Sequence, residues 1–296
     1  MTRREIAGGE AHARAAIAGN PSDGYGGAVL ALTLAGLRAQ AFAWPAAALE
    51  VSPNSELVRA TVARFARERE PAAARTAIEV STSIPRGVGL GGSSAIVIAT
   101  LRALCSLYEC SLGEPELAAM ALAVETDELG IAAGLQDRVT QAHGGLMFMD
   151  FDPGAGAHAY ERLDSALLPP FVVAWRADAG GDSGAVHAPL RERHARGERV
   201  VVEALCELGS LARRARAALV QRDHAELRRC VDRSFDARRR MLELDARHVE
   251  MVQCARASGA SANYTGSGGA IIAICADAAI RSHARQALKA LGCQVY

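Results

Sequence analysis

The sequence predicts an α+β fold of two domains, and three observations support this. The chain has 296 residues, enough for one large or two ordinary domains with ample buried core. Segments with strand-like and helix-like patterns alternate along it without an internal repeat. A turn-rich break, DPGAG at residues 152–156, separates two halves of similar length. We therefore expect one domain at residues 1–155 and a second at residues 156–296.

The first half contains apolar segments with two different periodicities. Alternating or continuous apolar runs predict a strand pair within Ala28–Trp44, a strand at Thr76–Ile84 and a strand at GGLMFMDF, residues 144–151. Helical periodicity predicts helices at Ser93–Tyr108 and Glu114–Leu129. Pro115 suits the first turn of the second helix and Gly130 its end, so both boundaries have a local cause.

The second half is richer in predicted helices. Strands are expected at Phe171–Trp175 and Ala270–Cys275, and helices at Glu198–Val220, Ala225–Leu244 and up to about Ala257, with a last helix and strand behind them. The segment GAVHAPLRERHARG, residues 184–197, has a turn-like composition, and we expect a loop that can close over a substrate. His187 and His194 lie seven residues apart there without a third ligand nearby, which favours loop histidines over metal ligands.

Charge composition argues against a nucleic-acid partner. Thirty-three basic residues balance thirty-three acidic ones, so no net charge attracts the chain to a polyanion. The arginine-rich stretch Arg191–Arg240 has acidic residues interleaved at helical spacings and almost no aromatic residues for base stacking. We interpret it as solvated helix faces.

Composition also predicts a soluble cytoplasmic enzyme without a membrane partner. No apolar run reaches the length of about 18 residues that a membrane-spanning helix needs, and the first residues lack the apolar core of a signal peptide. Seven cysteines without a C-x-x-C pair argue against a disulfide framework or a structural zinc site. A monomer or a homodimer is expected.

The most informative segment is PRGVGLGGSSA, from Pro85 to Ala95. A strand pattern enters it and a helix pattern leaves it, so its glycines and the first amide groups of the helix can surround a phosphate. Of the hydroxyls of Ser93 and Ser94, one is expected to cap the helix and the other to reach a phosphate-bound Mg²⁺.

Three other interpretations of this segment compete. A dinucleotide-binding G-x-G-x-x-G motif needs an acidic residue about 20 positions on at a strand end, whereas Glu109 falls in the helix pattern. A P-loop needs lysine after Gly92, where Ser93 stands. A glycine-rich turn without any ligand also stays open.

Together with two other segments, this cradle resembles the GHMP kinases, the superfamily of galactokinase, homoserine kinase, mevalonate kinase and phosphomevalonate kinase. ARAAIAGNPSDGYGG, residues 13–27, is similar to the first family motif, with Arg14 five residues before Gly19. ANYTGSGGAII, residues 262–272, is similar to the third motif. The resemblance implies a ribosomal protein S5 domain 2-like N-terminal domain, a ferredoxin-like C-terminal domain, and ATP and Mg²⁺ as cofactors.

The resemblance also implies roles for individual residues. Asp137, in GLQDRVTQAHGG, corresponds to the catalytic aspartate, and Arg14 is expected to hold it ionised through an ion pair. Ser94 and Glu125 correspond to the Mg²⁺ ligands. The ATP-binding set is Pro85, Gly87, Gly89, Leu90, Gly91, Gly92, Ser93, Ser94, Gly266, Ser267 and Gly268.

Within the superfamily, the sequences GNPSDGY, GLQDRVTQAHGGLMFMDF and ANYTGSGG resemble the glucuronokinase branch. This resemblance implies phosphorylation of the anomeric hydroxyl of a uronic acid. The expected substrate-binding residues are Asn20, Ser22, Asp23, Tyr25, Gln136 and Arg138. Arg138 is expected either to pair with the uronate carboxylate or to bind a structural carboxylate or backbone group. A kinase for heptose 7-phosphate, galacturonate or galactose, and an idle sugar and ATP sensor, remain alternatives.

Overall fold

The computed structural model describes residues 6–155, 160–176 and 183–296. Contacts between residues divide the chain into two compact units, each made of segments that are not contiguous in sequence. Unit 1 comprises Met1–Ala13, Thr33–Ile84 and Gly91–Gly144, and unit 2 comprises Arg14–Leu32, Pro85–Leu90 and Gly145–Tyr296. The expected domain boundary between residues 155 and 156 stays a prediction.

Two long strands supply residues to both units. These are β1 (Ala7–Ala18) and β2 (Ala28–Pro45), which pair with each other. We predicted a strand pair within Ala28–Trp44, and this was wrong, because β2 is a single strand. Its first part pairs with a strand of unit 2 and its last part with a strand of unit 1. A long apolar run does not reveal that its partners change along its length.

Unit 1 combines a sheet with helices. Its strands β3 (Glu50–Ser52) and β4 (Thr76–Thr82) pair in parallel, and β4 pairs antiparallel with Ala39–Pro45 of β2. Its helices are α1 (Glu56–Glu68), α2 (Gly92–Leu107), α3 (Glu114–Ala123) and α4 (Gln136–His143). The helix expected at Glu114–Leu129 is α-helical only to Ala123 and continues as a π-helical turn, Val124–Glu128.

Unit 2 contains two sets of strands. In one, β5 (Leu146–Asp150) pairs antiparallel with Ala28–Leu32 of β2 and with β6 (Tyr160–Leu163). The other is an antiparallel sheet in the order β10-β7-β9-β8. Its strands are β7 (Phe171–Trp175), β8 (Ser261–Tyr264), β9 (Ala270–Ile274) and β10 (Gln294–Val295).

The helices of unit 2 lie between these strands in the sequence. They are α5 (Ser183–Ala195), α6 (Arg199–Val220), α7 (His224–Met241), α8 (Ala246–Ala257) and α9 (Ala278–Ala290). Asp223, Asp245 and Asp277 cap α7, α8 and α9 through side-chain hydrogen bonds. Residues 184–197 were expected to form a loop, and this was wrong. Most of that segment is α5, which accommodates Pro189 inside the helix.

The apolar core of unit 2 lies between its antiparallel sheet and helices α7, α8 and α9. Phe235, Tyr264 and Ile271 are among its buried members. β9 is buried along its whole length, which explains its continuous apolar sequence. Within the described residues, no helix combines the length and apolarity needed to cross a bilayer.

Candidate active site

In unit 2, the structure brings together parts of three predicted motifs. Arg14 is 4 % exposed, and its Nη1 donates to the carbonyl oxygen of Gly89 at 2.9 Å and to that of Thr265. The Thr265 hydroxyl donates to the same Gly89 oxygen at 3.0 Å. The first motif therefore holds the second and third motifs through backbone carbonyls. The expected ion pair of Arg14 with Asp137 stays a prediction.

The glycine-rich loop of the third motif lies against Gly89. Gly89 has a φ of +73°, and a Cβ atom there would lie 2.8 Å from the Gly268 oxygen and 3.1 Å from the Ser267 nitrogen. A Cβ on Gly266 would lie 2.4 Å from the Gly89 oxygen. Only glycine permits such a close approach of two backbones. These positions therefore need glycine for the packing of the loops as well as for access of a phosphate.

The last residues of the predicted cradle, Gly91 to Ser94, lie in unit 1 at the start of α2. Gly91 is the N-cap, in a left-handed conformation, and Ser93 and Ser94 make no capping hydrogen bond in this described segment, so the predicted serine cap was wrong. Ser94 is fully buried, and its hydroxyl donates to the Gly91 oxygen at 3.2 Å. Since the first amide groups of a helix lack intrahelical acceptors, they suit an anion.

Gln141 supports the cradle and was missed by the sequence analysis. Its Nε2 donates to the carbonyl oxygens of Gly91 and His12, both at 2.8 Å, and the residue is 2 % exposed. It thus fixes the position of the N-cap that starts α2. The sequence offered no signal for this contact, which joins residues 50 and 129 positions apart.

Unit 1 also brings together Glu125, Asp137 and Arg138. Glu125 lies on the π-helical turn and is 1 % exposed, while Asp137 lies in the first turn of α4. Arg138 forms an ion pair with Glu125, donates to the Gly134 oxygen at 2.7 Å, and lies 3.7 Å from an Asp137 oxygen. One buried cation therefore contacts both candidate carboxylates, and the helix N-terminus adds a favourable field for Asp137.

The predicted substrate-binding residues 20–25 lie in unit 2. One of their side chains is already hydrogen-bonded to the backbone. Ser22 is fully buried, and its hydroxyl donates to the Ala28 oxygen at 2.9 Å. Asp23 and Tyr25 are half-buried, and the Tyr25 ring lies 4.6 Å from that of His194. Burial raises the pKa of the Tyr25 hydroxyl. Asn20 is buried, whereas Gln136 belongs to unit 1.

Comparison with known proteins agrees with this arrangement. Residues 56–145 match the GHMP kinases N terminal domain, and residues 215–293 match GHMP kinases C terminal. Glucuronokinase 1 of Arabidopsis thaliana is 34 % identical over 302 residues, covering 89 % of this chain and 83 % of that protein. Probable glucuronokinase 2 of the same plant is 40 % identical over 207 residues, covering 67 % of this chain and 56 % of that protein.

The fold is also similar to that of solved kinase structures. The crystal structure of Streptococcus pneumoniae phosphomevalonate kinase is similar with a TM-score of 0.78 and 15 % identity, over 98 % of each chain. The chain therefore belongs to the GHMP kinase family and has its two-domain α+β fold. It is an ATP-dependent phosphotransferase that acts on a hydroxyl group.

The close contact at Gly89 gives a stability prediction. Gly89→Ala places a side chain at positive φ and forces its Cβ against backbone atoms of residues 267 and 268. We expect the free energy of unfolding to fall by about 2–4 kcal/mol, with a lower melting temperature in calorimetry. Gly113→Ala is the matched control, since its φ is −63° and its Cβ would lie 3.9 Å from the nearest contact, Pro115. Equal melting temperatures for the two variants would contradict the packing described here.

Proposed function

We propose that this kinase transfers the γ-phosphoryl group of ATP to the anomeric hydroxyl of a sugar acid, with D-glucuronate as the substrate. The observation that carries the proposal is the similarity to glucuronokinases of Arabidopsis thaliana over most of the chain. A sugar kinase of this family needs a phosphate cradle, a carboxylate beside the acceptor hydroxyl and groups that recognise the sugar.

For ATP, we propose the glycine-rich cradle of residues 85–94 and the loop of Gly266–Gly268. The glycines of both segments let backbone N–H groups come close to phosphate oxygens. Gly89 and Gly266 also bring the two segments together, since a Cβ at either position would meet backbone atoms of the other segment. Arg14 and Thr265 hold the Gly89 carbonyl in place. Phosphoryl transfer depends mainly on such positioning and on neutralising the charge of the phosphate oxygens.

For Mg²⁺, we propose Ser94 and Glu125 as ligands, since Mg²⁺ prefers oxygen donors. The hydroxyl hydrogen of Ser94 is directed to the Gly91 carbonyl, which leaves the lone pairs of its oxygen for a metal. Arg138 holds one oxygen of Glu125, Oε2, and thereby orients the carboxylate. When bound, Mg²⁺ would neutralise charge on the transferred phosphoryl group.

For the acceptor, we propose that Asp137 accepts or orients the proton of the attacking hydroxyl. Its side chain is 17 % exposed, so a ligand has access to it, and one of its oxygens lies 3.7 Å from the Arg138 guanidinium. Asn20, Asp23 and Tyr25 supply donors and acceptors suited to sugar hydroxyls.

The test is release of ADP from Mg·ATP with a panel of acceptors: D-glucuronate, D-galacturonate, glucose, galactose, mevalonate and a heptose 7-phosphate. We expect the highest kcat/KM with glucuronate. A preference for a neutral sugar or for the heptose phosphate would replace the proposed substrate. Absence of turnover with every acceptor, despite ATP binding, would instead indicate a non-catalytic sugar sensor.

A further inference from the structure

Arg238 is a fully buried arginine in unit 2 that no part of the proposed reaction uses. It lies on α7 in register with Leu227, Val231 and Phe235, the apolar positions of that helix, and its exposed fraction is 0 %. Its helix neighbour Arg240 is a surface residue in an ion pair with Glu207. Arginine is almost never fully buried unless it is paired, so Arg238 calls for an anion.

The contacts of Arg238 satisfy only part of its guanidinium. Its Nη1 lies 3.4 Å from Oδ1 of Asn20, and the Tyr264 ring packs against it with 5.3 Å between the ring centroid and the guanidinium carbon. Within the described part of the chain, its Nε and Nη2 have no hydrogen-bond partner, and no carboxylate forms an ion pair with it. The Tyr264 hydroxyl is also buried without a described partner.

The surroundings of Arg238 do not compensate its charge at close range. Burial lowers the pKa of Arg238 to about 10, and the neighbouring cation Arg14 also lowers it, while Tyr264 and Asp23 act in the opposite direction. At neutral pH the guanidinium therefore stays charged. A buried charge without a partner is costly, and residues that carry such a cost are typical of functional sites.

The two unused nitrogens lie on one edge of the guanidinium, the edge that matches a carboxylate. This chain uses that edge repeatedly. Arg213 binds Asp150 through Nε and Nη2, both at 2.7 Å, and Arg216 binds Glu161 through the same atoms at 2.8 and 2.9 Å. Arg193 binds Glu198 in the same way. Arg238 thus presents the donor pair that three arginines of its own unit use for carboxylates.

We propose that Arg238 determines substrate specificity by binding the carboxylate of the sugar acid through Nε and Nη2, a proposal that rests on the function proposed above. Asn20, a predicted sugar-binding residue, orients the guanidinium through Nη1. The other candidate, Arg138, already holds Glu125 and the Gly134 carbonyl. Close to Asn20 in sequence the chain is less buried, since Gly24 is exposed and Asp23 and Tyr25 are half-buried.

Sugar binding without nucleotide tests this assignment. The wild-type protein and Arg238→Met are titrated with sodium D-glucuronate, glucose and glucose 6-phosphate in a calorimeter. For Arg238→Met we expect glucuronate affinity to fall roughly ten- to a hundred-fold and glucose affinity to stay within about twofold. The reason is that only a carboxylate binds to the pair of donors Nε and Nη2. Arg238→Lys should recover little, since an ammonium group lacks the planar pair of donors.

Unfolding of the unliganded variant separates binding from a structural role. Methionine fills a similar apolar space and removes an uncompensated charge, so Arg238→Met should melt at the wild-type temperature or above. A lower melting temperature with equal losses for glucuronate and glucose would overturn the proposal, as would unchanged glucuronate affinity.

A larger loss for glucose 6-phosphate than for glucuronate would also overturn the carboxylate assignment and make Arg238 a phosphate-binding residue. If the wild-type protein neither binds nor phosphorylates any sugar acid, the proposed function itself fails. Normal glucuronate turnover by the wild type, retained in Arg238→Met, contradicts only this inference.

Discussion

Asp137→Asn is expected to lower kcat by roughly 10²–10⁴-fold while the protein still binds ATP. Asparagine has the size of aspartate but neither its charge nor its basicity, so the acceptor hydroxyl would lose its proton acceptor. The side chain lies at the start of α4 and is partly exposed, so the substitution should leave the melting temperature nearly unchanged. Steady-state turnover of glucuronate, with nucleotide binding measured separately, checks both parts.

Asp236→Asn is the matched control for this experiment. Asp236 is a surface residue whose side chain is 48 % exposed and pairs with Arg256, so its loss should leave turnover within about twofold. Near-normal turnover of Asp137→Asn would remove Asp137 from the proposed reaction. A loss of ATP binding in Asp137→Asn would point to a defect in the fold instead.

Arg138→Met is expected to destabilise the protein by about 3–5 kcal/mol, because it leaves the buried carboxylate of Glu125 without its cation. Glu125 and Arg138 are 1 % and 4 % exposed, so water cannot replace the lost partner easily. Denaturant unfolding of the wild type and the variant measures the difference.

The double variant Arg138→Met, Glu125→Leu tests the cause. Removing both charges abolishes the uncompensated carboxylate, so we expect it to recover most of the stability lost in the single variant. A double variant as unstable as Arg138→Met would mean that the guanidinium contributes through packing or the Gly134 contact instead. An unchanged single variant would contradict the buried ion pair.

Local patterns predicted much of this fold, since most helices and strands occur where periodicity placed them. β7 and β9 begin at the predicted residues, and α2 begins within a residue of the prediction. Two of the differences depend on distant partners, whereas α1 and α5 were missed although they are local elements. The switch of β2 between β5 and β4, and the π-helical turn that carries Glu125, follow from packing that a short window of sequence does not contain.

The candidate site shows the same division. The glycines of the cradle are recognisable because phosphate contact and close backbone approach both demand them. The carbonyl contacts of Arg14 and Gln141 are not, because side chains bind backbone groups without a sequence signature.

Arg238 is an intermediate case. Its arginine-rich surroundings predicted a solvated face, which the surface pair of Arg233 with Glu207 confirms. Its own position in the apolar register of α7 was a signal that it points inward.

Phosphorus NMR of the product formed from D-glucuronate and Mg·ATP identifies the hydroxyl group that receives the phosphoryl group. We expect one new sugar-phosphate signal coupled to the anomeric proton, with stoichiometric formation of ADP. A phosphoryl group on another hydroxyl, or conversion of ATP to ADP without a phosphorylated sugar acid, would contradict this expectation.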